Sequence, residues 1–443
     1  MRVDICNKQL FVDVIQRLLP GFDLPEINGV TIDSRNVEHG DIFFPLKGNN
    51  FDGHQFIAQA AASGASLAFV ENLTETSLLI QQVQSTRTFL YDLVREYRNH
   101  FSYPLIGITG SNGKTTTKDL LYHVLSTKMN VMRTEGNFNS TTGAPLSLLS
   151  FDTDADIGII EIGANKPGEI ETICSVILPN MGLITNIGEA HLAHFGSKNE
   201  IAKTKSALFT CLPSSGTAFI NLDDPFISKM NVSCSRIEYS LNTTADYQGL
   251  WLAKTKQLKL HDTIVDLSAY PKSMRINSLA IYTVASELGF NIPSITSRLQ
   301  SFQLPKGRGE VIPMQNYTII NDSYNANLDS ARLGIHNLSN ISCSGRKITV
   351  IGDMLELGDK EEEHHQKLGR YLVDKKVDAV FAYGDLSQHA IRAMNGAKVF
   401  HQFYSDKNLL LTDLKEYLQN GDVIYIKGSR GMKMEDIITG LQS

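Results

Sequence analysis

Between Pro104 and Thr116 the chain reads Pro-Leu-Ile-Gly-Ile-Thr-Gly-Ser-Asn-Gly-Lys-Thr-Thr. A short apolar run meets a glycine-rich turn, and the turn runs directly into threonines that open a helix. A strand passing to a helix through so tight a turn lays the helix back on its own sheet. The chain must then return to a parallel neighbour, so a layered α/β fold is required and an all-helical or all-β fold is excluded.

The rest of the sequence repeats this rhythm. Val30–Ser34, Asp41–Gly48 and Ser66–Asn72 read as strands and Phe56–Ala65 as helix. Asp156–Gly163 and Met181–Asn186 continue the pattern after the glycine turn. From about residue 305 a second series begins at Tyr317–Asp322, Lys347–Met354, Asp378–Asp385 and Asp422–Ser429, all rich in Val, Ile and Tyr. A chain of 443 residues exceeds one ordinary core. Three α/β domains are expected: a small one over 1–100, a central doubly wound, mostly parallel sheet over 101–304, and a Rossmann-like unit over 305–443.

Composition narrows the partners. With 20% charged residues and a formal charge of -6, no basic surface for nucleic acid is expected. The five cysteines are scattered, with no C-x-x-C pair, which reads as reduced thiols in a cytoplasmic protein. No window approaches the roughly 18 apolar residues of a membrane span, and the first residues lack a signal-peptide core.

The glycine turn carries the strongest chemistry. Gly110, Ser111, Asn112 and Gly113 let backbone N–H groups approach phosphate oxygens. Lys114 then reaches the β/γ-phosphates, while Thr115 holds Mg²⁺ and Thr116 continues the helix whose N-terminus adds positive potential. The first glycine of the strict G-x-x-x-x-G-K-[ST] form is replaced by Ile108. Glu161 closes an apolar strand at the end where ligands gather in open α/β sheets, and it suits a hard cation together with Thr115. Downstream come Glu189, His191 and His194, then Lys205. Two histidines make a weak zinc case, and taken singly His191 is a loop histidine and Lys205 a solvated helix lysine.

Together these stretches resemble the Mur ligases, most closely their MurF type. The likeness runs through Thr31–Arg35, Asp41–Gly48, the Thr109–Thr116 turn, Glu135–Asn139, Glu161–Asn165, Glu189-Ala190-His191, Gly307–Glu310, Asn321–Asn327, Gly352–Gly358 and Lys427–Arg430. The resemblance implies an ATP-dependent amide ligase of peptidoglycan synthesis, acting as a monomer through an acyl phosphate. Its implied substrates are UDP-N-acetylmuramoyl-tripeptide and D-alanyl-D-alanine. Lys114, His191, Lys205 and Arg308 are the implied catalytic group, with Lys205 carbamylated. Two Mg²⁺ ions are implied on Thr115, Glu161, His191 and Lys205. Asn137, Arg308 and Asp322 join the nucleotide set; Ser34, Arg35, Lys47, Gly48, Asn325 and Asn327 are implied substrate contacts. Arg308 would reach the γ-phosphate from the C-terminal domain.

One motif departs. Where the family carries G-x-H-N-x-x-N-A, this chain has Ser273-Met274 in place of the His-Asn pair, with Asn277 kept. A thioether cannot replace an amide's paired donor and acceptor, so altered adenine recognition is expected. The alternative reading is a catalytically weakened relative or a P-loop ATPase. Among blander signals, Asp359–His365 reads as the solvated start of a helix. Lys427, Arg430 and Lys433 either steady substrate carboxylates or face water. Trp251, the single tryptophan, lies in a poorly patterned region and carries no functional weight.

Overall fold

The computed structural model describes residues 1–48, 51–188, 195–268 and 270–443. Among these residues the strands gather into three sheets in chain order. The first holds β1 (Arg2–Asp4), β2 (Gly29–Thr31), β3 (Ile42–Phe43), β4 (Leu67–Val70) and β5 (Leu79–Gln82), side by side in that order. β1 is antiparallel to β2, and the others are parallel.

The second sheet holds β6 (Leu105–Thr109), β7 (Val131–Arg133), β8 (Ile157–Glu161), β9 (Met181–Ile184), β10 (Thr217–Asn221), β11 (Ser235–Ser240), β12 (Tyr247–Leu252), β13 (Gln257–Leu260) and β14 (Thr263–Asp266). Their spatial order is β14-β13-β12-β11-β10-β9-β6-β8-β7. β6 and β8 are buried along their whole length, as expected of apolar runs covered on both faces. From β6 the sheet grows toward β8 on one side and β9 on the other. The strand order therefore reverses at β6, and the turns leaving β6, β8 and β9 open into one crevice.

The third sheet has the order β15 (Glu310–Pro313), β16 (Thr318–Asp322), β20 (Val423–Lys427), β17 (Lys347–Gly352), β18 (Ala379–Tyr383), β19 (Phe400–Tyr404). Only β15 runs antiparallel. Its two faces carry separate cores, one with Leu328, Ile335 and Leu368, the other with Ile348, Phe381 and Ile426.

The first two sheets, by contrast, share one core. Phe11, Val14 and Tyr97 pack in the same cluster as Leu149, Phe151 and Ile173. The buried Arg98 guanidinium closes this seam, donating to the Ile177 carbonyl at 3.1 Å and the Asn180 amide oxygen at 2.9 Å. Burial lowers its pKa, but every buried donor placed there finds an oxygen.

Two bland sequence readings are corrected. His364 and His365 are buried, not solvated: His365 accepts from the Met354 N–H at 3.0 Å and faces the Glu361 carbonyl at 2.7 Å. The poorly patterned stretch around Trp251 is ordered, with β12, β13 and β14 forming antiparallel pairs at the sheet's edge. Among the described residues, no helix is long and apolar enough to cross a membrane.

Candidate active site

The crevice at the end of β6 is a cleft of about 970 Å³ between the second and third domains. Its floor is the glycine turn. A β-carbon on Gly110 would fall on the Thr185 hydroxyl, and Gly113 sits at φ +81, so both positions require glycine. The turn is braced from the β9 side. Ser111 donates its hydroxyl to the Gly188 carbonyl and accepts from the Gly188 N–H, at 3.0 and 2.8 Å. The Asn112 carbonyl accepts from Thr185 Oγ1 at 2.7 Å and Asn186 Nδ2 at 2.8 Å. The Asn112 carbonyl is thus held by side chains from the β9 turn.

Gly113 ends the turn, and the helix Lys114–Leu125 begins with Lys114, Thr115 and Thr116 on the cleft. Lys114 Nζ folds back on the Gly110 carbonyl at 2.8 Å. Burial lowers its pKa, Glu161 opposes that shift, and Arg308 adds to it. Lys205, on the helix Lys198–Thr210, is 3% exposed and lines the same cleft. Burial and then the charge of Lys114 push its pKa well down. It is therefore no solvated lysine.

Facing these cations is Glu161, at the end of β8 and 2% exposed. Asn139 donates to its Oε1 at 2.7 Å, while its Oε2 is buried with no hydrogen-bond partner. A carboxylate oxygen so placed, with the Thr115 hydroxyl on the same cleft, suits a hard cation. The buried Lys205 and the half-buried Lys114 suit a polyanion in the same way. The residues present fit both Mg²⁺ and a nucleotide triphosphate. Among the described residues no three His, Cys, Asp or Glu side chains converge, so Glu161 is the carboxylate of this set. The expected ligand His191 lies outside the described residues, as do Glu189 and His194.

The third domain supplies the facing wall. Arg308 lies on the cleft with its guanidinium 3.9 Å from the centre of the Tyr324 ring. Asp322 Oδ2 accepts from Tyr425 at 2.7 Å and Lys427 at 2.6 Å. Lys427 is buried and turned inward, whereas Arg430 is exposed and pairs with Glu435. Asn325 and Asn137 line the cleft. Asn327 caps the helix Leu328–Ser339 through its amide oxygen and donates its amide nitrogen to Asn112 Oδ1 at 2.9 Å. One amide therefore ties the third domain to the phosphate turn.

Ser34, Arg35, Lys47 and Gly48 stand on the first domain and do not line this cleft. Ser34 donates to Gln59 at 2.9 Å, and the exposed Arg35 forks onto Asp33, holding that carboxyl down at about 2. Lys47 pairs with Glu71. Arg87, unnoticed in the sequence, donates to the Lys47 carbonyl at 2.9 Å and to Thr142 at 3.2 Å, beside Thr141 on the cleft. Asn139 and Tyr324 lie in family-like stretches and Asn186 closes a predicted strand, yet none of them carries a role in the sequence reading.

At the altered motif, Met274 is 1% exposed and belongs to the core under the sheet. Ser273, Arg275 and Asn277 line the cleft, and so does Trp251.

Comparison with known proteins covers nearly the whole chain. The Mur ligase family, catalytic domain model matches residues 26–98, the Mur ligase middle domain 108–284, and the Mur ligase, glutamate ligase domain 307–430. The UDP-N-acetylmuramoyl-tripeptide–D-alanyl-D-alanine ligase of Bacillus subtilis is 34% identical over 95% of this chain and 94% of its own. A crystal structure of MurF from Acinetobacter baumannii aligns with a TM-score of 0.87 at 28% identity, covering 98% of each chain. MurF ligase from Thermotoga maritima, solved in complex with ADP, gives 0.82 at 29% identity over 93% of this chain and 96% of that one.

Proposed function

The chain belongs to the Mur ligase family, and from that premise we propose how its cleft works. It is a ligase of the MurF type, which uses ATP to add D-alanyl-D-alanine to UDP-N-acetylmuramoyl-tripeptide in peptidoglycan synthesis. We place it in the cytoplasm as a monomer, with domain borders near residues 100 and 305. The observation that carries the reading is the convergence of Lys114, Glu161, Lys205 and Arg308 on one cleft.

The tripeptide carboxylate attacks the γ-phosphorus, the bond to the β-phosphate oxygen breaks, and ADP leaves. Lys114 and Arg308 face the phosphoryl oxygens from opposite walls and balance their charge during transfer. Thr115, Glu161, His191 and the carbamylated Lys205 would hold two Mg²⁺ ions, which would supply further charge neutralisation during the transfer. The dipeptide amine then attacks the acyl phosphate carbon, the tetrahedral intermediate expels phosphate, and the amine's proton passes to solvent. Ser34, Arg35, Lys47 and Gly48 hold the UDP end on the first domain, so binding energy far from the reaction positions the peptide end.

Lys205 has the environment for carbamylation. Burial and Lys114 disfavour its ammonium, and a neutral amine is the form that adds to CO₂. The product is an anion in a pocket that already holds one lysine.

The test is direct. Protein incubated with ATP, Mg²⁺, UDP-N-acetylmuramoyl-tripeptide and D-alanyl-D-alanine is expected to yield the pentapeptide by mass, with one phosphate per product. ADP release indifferent to both acceptor and dipeptide would favour a plain ATPase and overturn the assignment.

A further inference from the structure

The cleft extends beyond what the phosphates need. On one side of the glycine turn lie Glu161 and Lys205, where the γ-phosphate belongs. On the other side the wall continues without a break. A β-carbon built on Gly113 lies 3.3 Å from the Asn277 amide nitrogen. Two residues earlier on the same helix, Met274–Glu287, Arg275 places its guanidinium 5.9 Å from the centre of the Trp251 ring. Ile276 and Tyr270 are partly buried beside them, and all four side chains line the cleft. A triphosphate seated on the turn with its γ end at Lys114 directs its nucleoside along this wall. What it meets there is an indole and a planar cation.

We infer that Trp251, paired with Arg275, is the stacking face for the nucleobase of the bound nucleotide. The indole presents a broad π-surface, and the guanidinium can lie flat against a ring in the same stack. Trp251 comes from β12, whose antiparallel pairing with β13 holds it at the sheet's edge above the helix Met274–Glu287. The inference rests on the nucleotide reading of the glycine turn and adds the residues that grip the base.

The chain has a single tryptophan, so its emission reports on this face alone. Full-length protein is titrated with Mg-ADP and, separately, with inorganic tripolyphosphate, following calorimetry and tryptophan fluorescence together. ADP is expected to change the emission saturably, with the calorimetric affinity; tripolyphosphate is expected to bind and leave it unchanged. Trp251→Ala is expected to weaken ADP by about tenfold or more, within the range that loss of one base–aromatic stack produces. Its tripolyphosphate affinity stays within about twofold, and Trp251→Phe recovers most of the ADP affinity. ADP binding that leaves both the emission and the Trp251→Ala affinity unchanged overturns the inference while leaving the nucleotide reading intact. Equal weakening of ADP and tripolyphosphate also overturns it, because the damage then lies in the turn. Absence of any ADP binding by calorimetry defeats the nucleotide reading itself and this inference with it.

Discussion

Lys205 and Glu161 carry opposite problems. The lysine is buried next to another lysine, and the glutamate has one buried oxygen without a partner. Each is unfavourable alone, and bound anions and cations relieve both. Lys205→Ala should lower kcat by roughly hundredfold or more, the scale of losing one preorganised charge. Short carboxylates such as formate or acetate should restore part of that loss; full activity in the unrescued variant would remove the carbamate from the mechanism. Asn139→Ala should act on the partner side. Leaving Glu161 Oε1 without its 2.7 Å donor costs about 1–3 kcal/mol of stability and raises the Mg²⁺ needed for half-maximal rate. A variant with unchanged melting and unchanged Mg²⁺ demand would show that Asn139 does not orient the carboxylate.

At the scale of elements, the helix Glu361–Asp374 illustrates what pattern reading loses. Glu361, Glu362 and Glu363 suit its first turn, yet the next two residues turn into the core. His365 bridges the Glu361 carbonyl to the Met354 N–H, near Asp353, His364 and His389. Burial, its largest influence, lowers its pKa below the ordinary 6.5. The unfolded chain therefore takes up the proton first as pH falls. Stability is full above about 6.5 and declines as pH drops through that value toward the folded pKa. Urea unfolding at pH 7.5 and 5.5 should show this loss in the natural chain. His365→Leu should cost about 1–3 kcal/mol at pH 7.5 by stranding the Met354 N–H, and should show a smaller loss between the two pH values. Equal pH slopes in both proteins would exclude His365 as the titrating group.

The same scale explains what was legible. The glycine turn, Glu161 and the strands β6, β8, β16, β17, β18 and β20 were readable because apolar runs and turn chemistry are local signals. β12 to β14 were not, because Gln257, Lys259 and Thr263 break the apolar pattern in the strands that lead to the edge strand β14. β19, Phe-His-Gln-Phe-Tyr, is likewise an edge strand whose alternation is half polar. Trp251 was passed over for this reason: its meaning comes from Arg275 on a distant helix. Asn327 has the same character, since its partner Asn112 is 215 positions away.

For the whole molecule, the decisive fact is unequal seams. Domains one and two share a hydrophobic core, while the third has its own and meets the second across the cleft. A fragment of residues 1–304 should therefore fold and melt cooperatively. A fragment of 101–443 exposes Leu149, Phe151 and Ile173 and should aggregate, as exposed apolar patches of this kind do. Light scattering and calorimetry of the two fragments check this; a soluble, cooperatively melting 101–443 would show that the shared core is not needed. Calorimetry of the full chain should likewise resolve two transitions, the third domain separating from the other pair.

The amide link between Asn327 and Asn112 joins the one loose seam to the very turn that cradles phosphate. Any outward swing of the last domain would break this bond, so whatever parts the seam also removes a brace from the turn.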